Sequence, residues 1–391
     1  MSGAIVTSLD PPRPDSVPPL ASTLVEAPKA TRPGRRALAE ATLVLLAVGT
    51  AATLVLSVTL PPQRRLEGRR LASLVPEPPP PRALAPDDLD QEPETLDAQR
   101  ARLLDRMRVG LGLSETHIDA VRAIFDASPV LGQGNPVISR HPMSRSECRR
   151  IRLEAGVTEA NVPACGAPSM VPLHDPSSGQ TEADARVCID QLEFPNLPCE
   201  YPVVHVRASE AAALCRAIGK RICDTHEWEG ACAGAVHTPE AEYEWGRPRA
   251  EATWYHNYKR EKVWAYGAAK NHALCGTSSS RTPGCPGGGY DQCGSNTYPA
   301  GAFPACRSPL GVFDMHGNAA EHMNLPTLPE ELAVSGGLGF TEMKGSWFVF
   351  ATIEAHEDDC RWRAPSWHET RLASENSHAN YHLGFRCCKD I

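Results

Sequence analysis

All 14 cysteines of this chain lie between Cys148 and Cys388, and none precedes them. Disulfides persist in oxidising compartments, so this stretch reads as an exported, cross-linked region. A different chemistry lies upstream. Ala41–Leu60 holds 20 residues without Asp, Glu, Lys, Arg or His, about the length a helix needs to cross ~30 Å of hydrocarbon.

A cleaved signal peptide is the competing reading of that run. Such segments start near the N-terminus and carry apolar stretches of ~7–15 residues ending at an A-x-A-like site. This run starts only after residue 40 and ends Ser57-Val58-Thr59-Leu60-Pro61-Pro62, which favours a retained single-pass anchor. Lys29, Arg32, Arg35 and Arg36 precede it, and Arg64, Arg65, Arg69 and Arg70 follow it. The positive-inside rule therefore sets no orientation, and the cysteines decide it. The expectation is a protein of the cytoplasmic (inner) membrane, held by one N-terminal helix, with an extracytoplasmic C-terminal domain. A formal net charge of −8 argues against nucleic acid as a partner.

Composition divides the chain further. Residues 1–36, rich in Pro, Ser and Ala, read as a disordered cytoplasmic tail, and 37–60 as the transmembrane helix. Residues 61–94 carry Pro76-Glu77-Pro78-Pro79-Pro80-Pro81 and the acidic Asp87-Asp88-Leu89-Asp90. They read as a semi-rigid linker rather than a binding motif. Residues 95–185 form a small helical lead-in and an irregular segment, and 186–391 one cysteine-dense domain.

The spacing of Leu96, Leu103, Leu104, Met107 and Leu111 predicts a helix. Ser114 caps a second, with Ile118, Val121, Ile124 and Phe125 on one face and Pro129 beyond its end. Residues 140–185 show weak periodicity. Ser209 is the expected N-cap of a helix burying Ala211, Leu214, Cys215 and Ile218, with Gly219 as its C-cap. A short helix is expected near Thr225–Cys232, and Val203-Val204-His205-Val206 resembles a strand.

Four separated motifs stand out in the cysteine-dense part. They are Cys188-Ile189-Asp190-Gln191-Leu192-Glu193-Phe194-Pro195-Asn196; Ser209–Gly234 with Gly219-Lys220-Arg221-Ile222 and Glu227-Trp228-Glu229; Gly311-Val312-Phe313-Asp314-Met315-His316-Gly317-Asn318-Ala319-Ala320-Glu321; and Leu383-Gly384-Phe385-Arg386-Cys387. Lys344-Gly345-Ser346-Trp347 is a weaker fifth. In this order they resemble the sulfatase-modifying factor family, whose type enzyme is the formylglycine-generating enzyme, over about residues 186–388. The resemblance implies an α+β, C-type-lectin-like fold with little regular secondary structure.

Enzymes of that family use O₂ and copper to oxidise a sulfatase cysteine to formylglycine. The resemblance places their two metal-binding thiols just after the Gly-Ser-aromatic motif. Here those positions fall on Val349 or Phe350 and on Glu354 or Ala355. No soft sulfur ligand for Cu(I) is present, so copper is not expected. The family's structural disulfides map onto Cys215 with Cys387 and onto Cys232 with Cys360, which assigns Cys360 elsewhere. The family's Asn-Ala-Trp-Glu-Trp block reads Asn318-Ala319-Ala320-Glu321-His322, without either indole. A Ca²⁺ site is implied at Asp314, the carbonyls of Gly317 and Ala319, and Glu321, in keeping with calcium's preference for oxygen.

The leading expectation is therefore a membrane-anchored, extracytoplasmic binding or assembly module for a protein, peptide or glycan. The alternatives are a formylglycine-generating oxidase or another metal-dependent oxidoreductase on the same fold. His316, His322, His368, His378 and His382 match no specific ligand spacing and read as loop or surface histidines. Trp254, Trp264, Trp362 and Trp367 read as core or rim packing. Asp190 and Glu193 belong to a structural strand and turn.

Overall fold

The computed structural model describes residues 89–365 and 370–391. The expected tail (1–36), anchor (37–60) and most of the linker (61–94) lie outside the described residues, as do Trp367 and His368. Among the described residues no helix is long and apolar enough to cross a membrane.

Helix α1 (Leu96–Leu111) begins where the Thr95 hydroxyl accepts the Ala98 N–H at 3.2 Å and ends at Gly112, whose φ of 65° suits a residue without Cβ. Helix α2 (Glu115–Ala127) is capped by Ser114 and buries Ile118, Val121 and Phe125. These faces meet α4 (Ala208–Ala217), Phe194 and Phe385 in one apolar cluster. Phe194 and Phe385 stack at 4.5 Å within it. Full burial of such a ring contributes roughly 1.5–3 kcal/mol.

Three local expectations are corrected. The stretch 140–185 contains a helix, α3 (Arg145–Glu154), whose inward residues are Arg145, Cys148 and Arg152. A buried face built on arginines leaves no apolar period to detect. Arg145 pairs with Glu200 at 2.8 Å and lies 4.1 Å over the Tyr201 ring, so its stem and its charge are both accommodated. Helix α4 starts before Ser209, because the Glu210 carboxylate accepts the Arg207 N–H at 2.7 Å and moves the cap upstream. Residues 203–206 form no strand; Val204 makes a single bridge to Gly132, and His205 at φ 54° turns the chain away.

Further along lie α5 (Thr225–Ala233), the short α6 (Pro239–Glu242) and α7 (Arg249–Lys259). Two small sheets complete the fold. The first contains β1 (Met170–Pro172), β2 (Val187–Asp190), β3 (Arg221–Ile222) and β7 (Cys387–Asp390) in the order β1-β2-β7-β3, all antiparallel. In the second, β4 (Ala320–Leu325) pairs antiparallel with β5 (Phe340–Lys344) and parallel with β6 (Leu383–Phe385). Short helices beside short strands make this an α+β arrangement.

Disulfides supply long-range order. The pairs are Cys148–Cys199, Cys165–Cys188, Cys215–Cys387, Cys223–Cys388, Cys232–Cys360, Cys275–Cys306 and Cys285–Cys293. No cysteine is free. Cys215–Cys387 staples α4 to the strand β7.

Candidate functional site

The turn Phe313–Glu321 is fixed by left-handed backbone at Asp314 (φ 57°), Gly317 (79°) and Asn318 (56°). Gly317 is required sterically: a Cβ there would lie 2.7 Å from the Gly276 carbonyl carbon. Asn318 tolerates this conformation because its side chain is fully engaged. Its Oδ1 accepts the Tyr298 N–H at 2.8 Å, and its Nδ2 donates to Glu193 at 2.6 Å. The other Glu193 oxygen accepts the Ala319 N–H at 2.8 Å.

The turn thus brings Asp314 and Glu321 beside a third buried carboxylate, Glu193. Asp314 accepts the Gly301 N–H at 2.5 Å. Glu321 accepts Arg386 on both oxygens and Trp228 Nε1 at 2.9 Å. Burial, then the charges of Asp314 and Glu321, push the Glu193 carboxyl well above its usual range. Burial pushes Asp314 up to about 6, against the opposing pull of the Gly301 N–H and Arg386. Arg386 faces all three carboxylates and Arg152 also acts on Asp314, so three buried acidic groups are set against two guanidinium groups.

These donors are all oxygens, the type a hard divalent cation takes, but the three carboxylates do not converge as closely as the metal-competent groups among the described residues. Asp314 and the Gly317 and Ala319 carbonyls lie on one turn. Glu321 can join only by sharing an oxygen with Arg386. The roles of Glu193 and Arg386 were not evident in the sequence. Both sit inside recognisable motifs, but only the fold brings Glu193 to Asn318.

The positions matching the family's thiols offer no sulfur ligand. Val349 is 1% exposed and Phe350 0%, and Val349 packs with Phe348 and Tyr381. Glu354 is ion-paired with Lys270. The Phe350 ring meets His272 edge-on at 5.2 Å. Cys232 and Cys360 are bonded to each other, with His316 Nε2 3.5 Å from the Cys232 sulfur.

The expectation of surface histidines is corrected for His316 and His322, which are 0% and 1% exposed. Burial lowers His316 to about 4. Its Nε2 accepts the Ala265 N–H at 3.0 Å, so the proton resides on Nδ1, facing Asp358 at 3.8 Å. His322 shares a hydrogen bond of 3.0 Å with the Val206 carbonyl. Trp264 donates to Asp358 at 3.1 Å and Trp362 is buried, whereas Trp254 is 59% exposed and stacks on Tyr258 at 5.5 Å.

Among the described residues, three groups of His, Cys, Asp and Glu converge closely enough to ligate a metal. In two of them, Cys232/His316/Cys360 and Cys223/Glu227/Cys388, the sulfurs are joined in disulfides. In the third, Glu229/Glu242/His256, Arg363, Arg361 and Lys344 already neutralise the carboxylates.

The model of the sulfatase-modifying factor enzyme 1-like domain matches residues 138–391, taking in α3 as well as the four motifs. No curated protein matches the chain. Among solved structures, a chain described as the crystal structure of CarF is similar at 16% identity, covering 67% of this chain and 85% of that one with a TM-score of 0.25. A likeness that low carries no argument.

Proposed function

This chain belongs to the sulfatase-modifying factor family, and on that footing we propose that its C-terminal domain is a binding or assembly module without the family's cysteine-oxidising activity. The observation that carries the reading is at the thiol positions. Buried Val349 and Phe350, ion-paired Glu354 and apolar Ala355 offer Cu(I) no soft ligand, and every cysteine is held in a disulfide. The replacement of both family indoles around Glu321 supports a changed ligand as well.

Within this proposal the fold is C-type-lectin-like, consistent with its short strands and many turns. In this reading the Ala41–Leu60 run anchors the chain in the cytoplasmic membrane and the domain lies outside it, a placement supported by the oxidising compartment that disulfides need. Ca²⁺ is held by Asp314, the Gly317 and Ala319 carbonyls and Glu321. It balances the buried acidic excess and stiffens the turn. The partner is a protein, peptide or glycan, and the net charge of −8 disfavours nucleic acid.

The test incubates the copper-loaded full chain in detergent with O₂ and a peptide carrying Cys-x-Pro-x-Arg. The expected result is a peptide unchanged in mass. Turnover to the aldehyde would overturn the proposal and reinstate an oxidase on this fold.

A further inference from the structure

A pocket of about 720 Å³ opens between α1, α3 and the loop around Leu197. Its size is typical of ligand sites. Its walls are tied to one another. The Cys148–Cys199 disulfide joins α3 to the loop. Glu200 of the loop pairs with Arg106 of α1 at 2.9 Å and with Arg145 of α3 at 2.8 Å, all three out of solvent. Helix α1 approaches the loop so closely that a Cβ on Gly110 would lie 2.5 Å from the Leu197 side chain. A cleft cross-linked and ion-paired in this way is preformed, so filling it requires little reordering.

Four arginines line the pocket, and three of them have carboxylates. Arg106 takes Glu200, Arg145 pairs with Glu92 as well as Glu200, and Arg152 pairs with Glu159 at 3.0 Å. Arg152 also donates to the Gly301 carbonyl at 3.1 Å. Arg149 is exposed and has no ion-pair partner among the described residues. It stands one turn after Arg145 and one turn before Arg152 and Leu153, on the face of α3 that lines the cleft. One positive charge in the pocket is therefore unmatched. Around it Val109, Leu153, Val157 and Leu197 form apolar wall, and Leu153 is 81% exposed although it borders a cavity.

We propose that this pocket binds a singly charged carboxylate with an apolar body, the chemistry shared by a free peptide C-terminus ending in apolar residues and by a fatty acid. The Arg149 guanidinium presents a planar fork of N–H donors that matches the two carboxylate oxygens. The apolar body covers Val109, Leu153 and Leu197, removing their surface from water. A dianion such as a phosphate monoester fits less well, because its second charge would meet Glu159 and Glu200 with no further arginine to balance it. None of the positions that match the family's thiols takes part, so the site is independent of whether the domain oxidises cysteine.

The test is titration calorimetry on the full chain in phosphatidylcholine nanodiscs, with the heat of empty nanodiscs subtracted. The probes are acetylated Leu-Val-Leu with a free carboxylate, the same peptide amidated, octanoate, octanamide and octyl phosphate. The expected result is that at least one acid binds at least ~10-fold more tightly than its own amide. The tighter of the two acids identifies the source, peptide C-terminus or fatty acid. Arg149→Gln should abolish the preference for acid over amide, and Arg149→Lys should keep part of it. Leu153→Ser should weaken the acid by ~10-fold and leave the preference intact. Both positions are exposed, and an unchanged melting curve checks that each variant keeps the fold. Equal affinity of each acid and its amide would overturn the proposal, as would a preference that survives Arg149→Gln. Absence of binding by every probe, or tighter binding of octyl phosphate than of octanoate, would overturn it too.

Discussion

Glu321 and Arg386 form a two-pronged ion pair closed to solvent, with Nη2 2.6 Å from Oε1 and Nε 2.7 Å from Oε2. Arg386 is the single residue between β6 and β7, where the chain passes from one sheet to the other. Its remaining donors reach the Asp190 carbonyl of β2 at 3.2 Å and the Phe313 carbonyl at 3.0 Å. One guanidinium therefore joins both sheets to the start of the turn. Arg386→Met should strand Glu321 as an unpaired buried charge beside two other carboxylates and lower stability by ~3–5 kcal/mol. Chemical denaturation with disulfides intact measures this; a loss below ~1 kcal/mol would show that the sheets are joined by other contacts.

The disulfides Cys215–Cys387 and Cys223–Cys388 should be redundant for one another. They lie side by side, so with one intact the other closes only the short ring from Cys215 to Cys223 and from Cys387 to Cys388. Restricting the unfolded chain then predicts a loss of ~2.5 kcal/mol for removing either alone, and more than twice that for removing both, because a much longer loop is then released. Paired Cys→Ala variants compared by denaturation midpoint should show this excess. Strictly additive losses would contradict the chain-entropy account.

The legible parts of the sequence were those carried by local chemistry. Ser114 marks a helix start because a hydroxyl before an apolar period is a cap. Gly317 and Asn318 mark a turn because few other residues adopt its backbone. Helix α3 escaped because it buries arginines, and pattern reading looks for apolar faces. Glu193 was visible as a motif residue, but its contacts to Asn318 and Ala319 span more than a hundred positions. His316 read as a loop residue, since nothing nearby in sequence announces that Asp358 and Ala265 close over it.

His316 should make the domain acid-sensitive. Burial lowers it from 6.5 to about 4, despite the nearby Asp358 charge. Between those values the unfolded chain binds a proton that the folded chain refuses, so stability is present above 6.5 and is lost as pH falls toward 4. His141 and His205, also lowered to about 4 by burial, act in the same direction. His316→Gln should therefore melt with a shallower dependence on pH between 6.5 and 4.5 than the unaltered chain. Parallel curves would remove His316 from the account.

Asp314 should show the opposite sign, and that contrast tests the calcium proposal. Its carboxyl is raised from 3.8 to about 6, mainly by burial. Across that window the folded site keeps a proton that the unfolded chain has released. The associated stability is present below 3.8 and is lost as pH rises through 6. At pH 7.5 without calcium, ionised Asp314 then lowers stability by ~3 kcal/mol. Asp314→Asn should accordingly melt above the unaltered chain in EDTA at pH 7.5, and the gap should close by pH 4. Excess calcium should reverse the ranking at pH 7.5, because the ion stabilises only the ionised site, by mass action. If calcium shifts neither melting curve, Asp314 is a buried turn carboxylate held by the Gly301 N–H, and the proposed ion site is wrong.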